Sequence, residues 1–162
     1  MKYLSFIFLL LPHLLLSQAK TQGKVKFYGS PGARISAGVA IPPGKGIYVI
    51  SGIVASPMDS AKQEGSFEKY GDTKTQAISI LSKIENQLKE AGLSMKDVVN
   101  LKAFVVQDKR TNVFDFNGWN EAYDIFFNNQ KNPLKPTRIT VGIPGLTNPG
   151  YLIEIEGMAV FP

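Results

Sequence analysis

Residues 136–157 read PTRITVGIPGLTNPGYLIEIEG. Two apolar, β-branched runs flank a stretch with two turn signals, Pro144-Gly145 and Asn148-Pro149-Gly150. The segment therefore predicts a β-hairpin. Successive side chains of a strand point to opposite faces. In 138–143 this groups Ile139, Val141 and Ile143 on one face and Arg138, Thr140 and Gly142 on the other. In 151–161 it groups Tyr151, Ile153, Ile155 and Ala159, with Leu152, Glu154, Glu156 and Met158 opposite. If the apolar faces match beneath a helical layer, the polar faces coincide too. Arg138, Thr140, Glu154 and Glu156 then meet on the side away from the helices. Two readings of that cluster are open. One is a carboxylate-binding site, in which the arginine fork holds two oxygens and a glutamate deprotonates a water. The other is a cross-strand ion pair of little energetic weight on an exposed surface.

The rest of the chain supplies elements that this hairpin can join. ISAGVAI (35–41) can form a short strand after a polar, glycine-rich N-terminal segment at 20–34, and GIYVISGIVA (46–55) reads as a buried strand broken by Ser51-Gly52. Glycine there marks either a packing accommodation or a place where another group approaches the backbone. Residues 56–71 are turn-like. Asp72 or Thr73 can cap a helix whose apolar residues Ala77, Leu81, Ile84, Leu88 and Ala91 recur at the spacing of one face, closed by Gly92. A strand over 98–108 follows, with Val99, Leu101, Ala103 and Val105 on one face. A second helix, about 113–128, carries an aromatic stripe of Phe116, Trp119, Tyr123 and Phe126 that reads as core. This order predicts one α+β domain: a mainly antiparallel sheet with two helices on one face. The apolar residues left on the second face predict an oligomer.

The chain begins MKYLSFIFLLLPHLLLSQAK. One lysine, an apolar run from Tyr3 to Leu16 and Ser17-Gln18-Ala19 form the three parts of a cleavable signal peptide over 1–19. The expectation is an exported protein, periplasmic or secreted, with no membrane segment after cleavage. The 162 residues contain no cysteine, and the sole histidine, His13, lies in the leader. Chemistry by thiols, imidazole or zinc on Cys and His ligands is thereby excluded from the remainder. The formal charge is +5, or +4 without Lys2. No basic stripe interleaved with aromatics appears, so nucleic acid is not the expected partner.

Five of these stretches together resemble the RidA (YjgF) family of enamine/imine deaminases: YVISG (48–52), QAISILSKIENQLKEAGLSMKDVV (76–99), NEAYDIFF (120–127), PTR (136–138) and IEIEGMA (153–159). The resemblance spans about 35–161 and places the family-like domain at 35–162. It implies a chorismate-mutase-like fold assembled as a homotrimer with clefts between subunits. It also implies cofactor-free and metal-free hydrolysis of 2-aminoacrylate-like 2-imino acids to 2-oxo acids and ammonia. Carried over by position, Arg138 holds the small-molecule carboxylate and Glu154 activates the water. Gly52 lines the cleft, Asn120 matches a helix asparagine, and Glu156 supports by ion pairing. Three positions depart from the family pattern. Ile35 stands where a tyrosine is usual, Ile53 where glutamine follows the Ser-Gly, and Thr140 where a cysteine follows the arginine. These reshape the expected substrate-binding wall, with Tyr28 as a candidate replacement phenol. The alternatives are a non-catalytic carboxylate-binding protein using the same cleft and, ranked below it, an endoribonuclease.

Overall fold

The computed structural model describes residues 23–162. The leader reading of 1–19 lies outside these residues. The elements in chain order are β1 (Lys26–Tyr28), β2 (Gly38–Ala40), β3 (Ile47–Val54), α1 (Phe67–Tyr70), α2 (Thr73–Glu90), β4 (Val98–Val106), α3 (Phe116–Phe126), β5 (Thr137–Ile143) and β6 (Ile153–Val160). A four-stranded sheet runs in the order β3-β6-β4-β5, and β1 and β2 form a separate antiparallel ribbon. Two of the three pairings in the main sheet are antiparallel, and β4 pairs with β5 in parallel. The α+β architecture with both long helices on one face is as expected.

The helices form where their caps and periodicity place them. Asp72 accepts from the amide of Thr75 at 2.8 Å and caps α2. Ala77, Leu81, Ile84 and Leu88 are fully buried. Each Leu or Ile so buried contributes roughly 1.5–3 kcal/mol. Gly92, at φ +74°, takes the left-handed conformation that ends the helix. Asp115 caps α3 through the amide of Gly118, so α3 begins later than the expected 113. Its aromatic stripe also differs. Trp119, Tyr123 and Phe127 are fully buried, whereas Phe116 is 41% exposed and Phe126 only half-buried. Phe116 instead stacks on Phe114 beside the helix start.

The expected terminal hairpin does not form. β5 and β6 are not neighbours, because β4 lies between them. A helix between two strands allows parallel neighbours, which a tight turn cannot, and α3 returns the chain to the free edge of β4 as β5. The Pro144–Gly150 stretch then crosses the end of β4. Fully buried Gln76 anchors that crossing. Its Nε2 donates to the carbonyls of Gly150 at 2.9 Å and Gly71 at 3.1 Å, and its Oε1 accepts from the amide of Leu152 at 2.9 Å.

The face assignment of β5 is likewise reversed. Arg138 and Thr140 pair with Leu101 and Ala103, both fully buried beneath the helices. Ile139 is on the open face and is 54% exposed. On β6 the expectation holds: Ile153 and Ile155 are buried, and Glu154 and Glu156 face away from the helices. β3 is an edge strand rather than a buried one, with only Ile50 buried. The strand expected at 35–41 is confined to Gly38–Ala40, and its partner β1 comes from the polar N-terminal segment.

Candidate functional site

Arg138 sits on the edge strand, turned toward α3. Its guanidinium carbon lies 4.6 Å from the ring centre of Tyr123 and 5.1 Å from that of Trp119. Both rings present faces that attract a cation. Nη2 donates to Asn120 Oδ1 at 2.6 Å, while buried Nη1 has no partner. The Tyr123 hydroxyl is also buried without a partner. Burial pushes the Arg138 guanidinium pKa down and the Tyr123 phenol up. Arginine remains charged through such a shift. A fork with one nitrogen held and another unsatisfied suits an anionic oxygen in its chemistry, and in the single chain that nitrogen is closed to solvent.

The surroundings extend beyond what sequence spacing suggested. Trp119 Nε1 donates to Thr140 Oγ1 at 2.9 Å, which leaves the hydroxyl proton of Thr140 available to another acceptor. Arg34 donates to both oxygens of Asp124 at 3.2 Å, one helical turn from Asn120. Ser36 is buried, and its hydroxyl donates to the carbonyl of Lys135, holding the 34–36 segment beside the start of β5. Arg34, Trp119, Tyr123 and Asp124 were not singled out as site residues. The signal for Tyr123 and Asp124 was their position three and four residues after Asn120 on the same helix, whereas Trp119 was read only as core.

Glu154 lies elsewhere. It pairs with Val54 of β3, and its carboxylate rests over Gly52, where a Cβ would overlap Oε1. The pairing register shifts between Ile50 and Ile53, which marks a bulge at this point. The Glu154 carboxylate thus fills the space that a Cβ at 52 would take, and a larger residue there would displace it. Among the described residues this carboxylate has no hydrogen-bond or ion-pair partner. Glu156 is paired as a supporting residue would be, but with Lys102 at 2.8 Å rather than with an arginine.

Arg138 and Glu154 do not meet within one chain. Arg138 pairs with Leu101, and Glu154 with Phe104, so the two stand three positions and two strands apart, on opposite faces. Strand spacings make that roughly 14 Å along the sheet. Ile35 and Ile53 both pack partly buried against the core. Tyr28 is 55% exposed on the β1–β2 ribbon.

A family model described as Endoribonuclease L-PSP matches residues 33–161. The chain belongs to this family, the Rid/YjgF family. A RutC family protein of Pyrococcus abyssi is 32% identical over 120 residues, covering 74% of this chain and 82% of the relative. A RutC family protein of Aquifex aeolicus is 30% identical over 115 residues, covering 71% and 81%. Among solved structures, a Rid family protein of unknown function from Yersinia pestis superposes with a TM-score of 0.63 at 21% identity, covering 85% of this chain and 98% of its own. A YjgF/YER057c/UK114 family member from Mycobacterium tuberculosis does so at 0.53 and 24%, covering 85% and 100%. These structural likenesses carry the fold, and the family match takes in both Arg138 and Glu154.

Proposed function

We propose that this Rid family protein hydrolyses 2-imino acids, and the enamines that tautomerise to them, to 2-oxo acids and ammonia. The observation that carries this reading is the Arg138 guanidinium, fixed by Asn120 and the Tyr123 and Trp119 rings with Nη1 unpartnered. Such a receptor suits the carboxylate of a small acid. Water adds to the imine carbon, and Glu154 takes its proton. That proton passes to the nitrogen, and the proton of the new hydroxyl follows through Glu154 as the carbonyl forms and the carbon–nitrogen bond breaks. The products are the 2-oxo acid and ammonia, and Glu154 is returned ionised. Protein groups suffice for this balance.

Because Arg138 and Glu154 occupy opposite faces near opposite edges of one sheet, the reaction needs a second copy. The open face, with Val49 71% and Ile139 54% exposed, offers apolar area for that contact. A head-to-tail arrangement brings the β5 edge of one copy to the β3 edge of the next, and a cyclic trimer closes it. Each cleft then holds Arg138 from one subunit and Glu154 from another.

The test generates an imino acid in situ with an amino-acid oxidase and follows ammonia and 2-oxo acid release. Wild type should exceed buffer and Arg138→Ala should not. Equal rates for the two proteins would sink the reading. The separation of the two residues within a chain favours one alternative, a carboxylate-binding protein without turnover. Calorimetric binding of a 2-oxo acid with background hydrolysis would establish that alternative. The ribonuclease activity in the family description ranks below both, since residues 23–162 contain no histidine. We also propose that residues 1–19 direct export, which N-terminal sequencing of the mature protein tests.

A further inference from the structure

A second cleft, of about 500 Å³, opens at the end of the main sheet where β4 begins and β6 ends. Phe27 of β1, Leu134 before β5, and Val99 and Val160 give it an apolar floor. Lys24, Lys45 and Lys96 come to it from three separate parts of the chain. None of these lysines has an ion-pair partner among the described residues. Asp97 is the one side-chain carboxylate in the lining, which also takes in the last residue, Pro162, and Asp97 is already engaged. Its Oδ2 accepts from the amide and the hydroxyl of Ser94, both at 2.8 Å. Neither Arg138 nor Glu154 lines this cleft.

We propose that this cleft binds a small anionic amphiphile, a carboxylate carrying a medium-length apolar chain. Its volume is within the range of small-molecule sites, about 300–1,000 Å³. The apolar floor would take the hydrocarbon out of water. The three lysines keep their charged ends at the rim while their stems extend the apolar wall. Excess positive charge at the rim selects an anionic head over a neutral one. The carboxylate of the proposed imino-acid substrate has no such chain, so the site is separate from the proposed active site and does not depend on it.

The experiment is calorimetry of the full mature chain with decanoate below its micellar concentration, alongside decanol and acetate. Decanoate should bind with one site per chain, and decanol and acetate at least tenfold more weakly. A surface lysine–carboxylate pair contributes modestly, so each lysine neutralised should weaken binding by about two- to threefold. The triple variant Lys24→Gln/Lys45→Gln/Lys96→Gln should therefore lose on the order of tenfold. Phe27→Ser, checked for folding by circular dichroism, should weaken decanoate without changing acetate. Equal binding of decanoate and acetate, or of decanoate and decanol, overturns the proposal. So does decanoate binding that survives the triple variant but is lost in Arg138→Ala, which would move the ligand to the other site. Attachment to anionic vesicles without binding of monomeric decanoate overturns it in favour of a membrane surface.

Discussion

At the β5 edge of the sheet a guanidinium is turned inward, held by Asn120 and shelved on two aromatic rings. Toward the β3 edge a carboxylate is turned outward, over a glycine, with no partner among the described residues. The first arrangement spends burial on fixing one charge. The second leaves a carboxylate unpartnered. A binding anchor needs its geometry set in advance, because flexibility would be lost on binding. A proton carrier needs an accessible oxygen and freedom to reach water. In the proposed reaction the two edges take those two tasks, and a neighbouring copy combines them.

The largest effect should come from removing the anchor. Arg138→Ala is expected to lower kcat/KM by roughly 10²–10³-fold, as truncating a buried, hydrogen-bonded charge usually does. Arg138→Lys should recover little, because an ammonium lacks the planar fork. Full recovery by lysine would mean that the fork geometry is not used. At the other edge, Gly52→Ala places a Cβ on the Glu154 carboxylate. The carboxylate is the end of a flexible, unpartnered side chain, so it can swing aside and the fold should lose less than about 1 kcal/mol. The substitution should lower kcat more than it raises KM. An unchanged kcat would show that Glu154 does not act from its place over Gly52.

Smaller effects sharpen the contrast. Trp119→Phe keeps a ring beneath Arg138 but removes the bond to Thr140. Thermal unfolding should register a loss of about 1 kcal/mol, with a rise in KM as the anchor loosens. No change in KM would separate Thr140 from the anchor. Lys102→Met breaks the exposed pair with Glu156, at 2.8 Å, and should cost less than about 1 kcal/mol.

The smallest effect lies off both edges and serves as a control. Glu64 is held down to about 2, from an ordinary 4.5, first by the hydrogen bond from Lys69 and then by those from Tyr70 and Asn148. A depressed carboxyl stabilises the fold fully above its ordinary pKa. That contribution fades as the pH falls from 4.5 toward 2. Nuclear magnetic resonance titration of the Glu64 side chain should therefore find a midpoint near 2. A midpoint at the ordinary value would mean that the link among Glu64, Tyr70 and Asn148 does not persist in solution.

Much of the site's chemistry was legible in residue types, but its assembly was not. Glu154 and Gly52 stood out as a charge and a glycine inside strand-like runs. That they touch depends on the β3–β6 pairing and its bulge. Arg138 stood out as an arginine heading an apolar strand. Its contact with Asn120 was not legible, because β5 alternates in a way that suits either face. The faces were inferred by matching Ile139 and Val141 to Ile153 and Ile155. That match presumed that β5 and β6 were partners.

The sequence by itself determined the local elements. The cap Asp72, the three-to-four-residue rhythm of Ala77, Leu81, Ile84 and Leu88, and the alternation in β6 each rest on contacts within a few residues. It also determined the available chemistry, by omitting cysteine altogether and histidine from residues 23–162. Only the tertiary structure decided the strand order and which face of β5 is inside. Alternation states which residues share a face and says nothing of what that face meets. That was settled by α3, which carries the chain across to the free edge of β4 and offers Trp119, Tyr123 and Asn120 to Arg138.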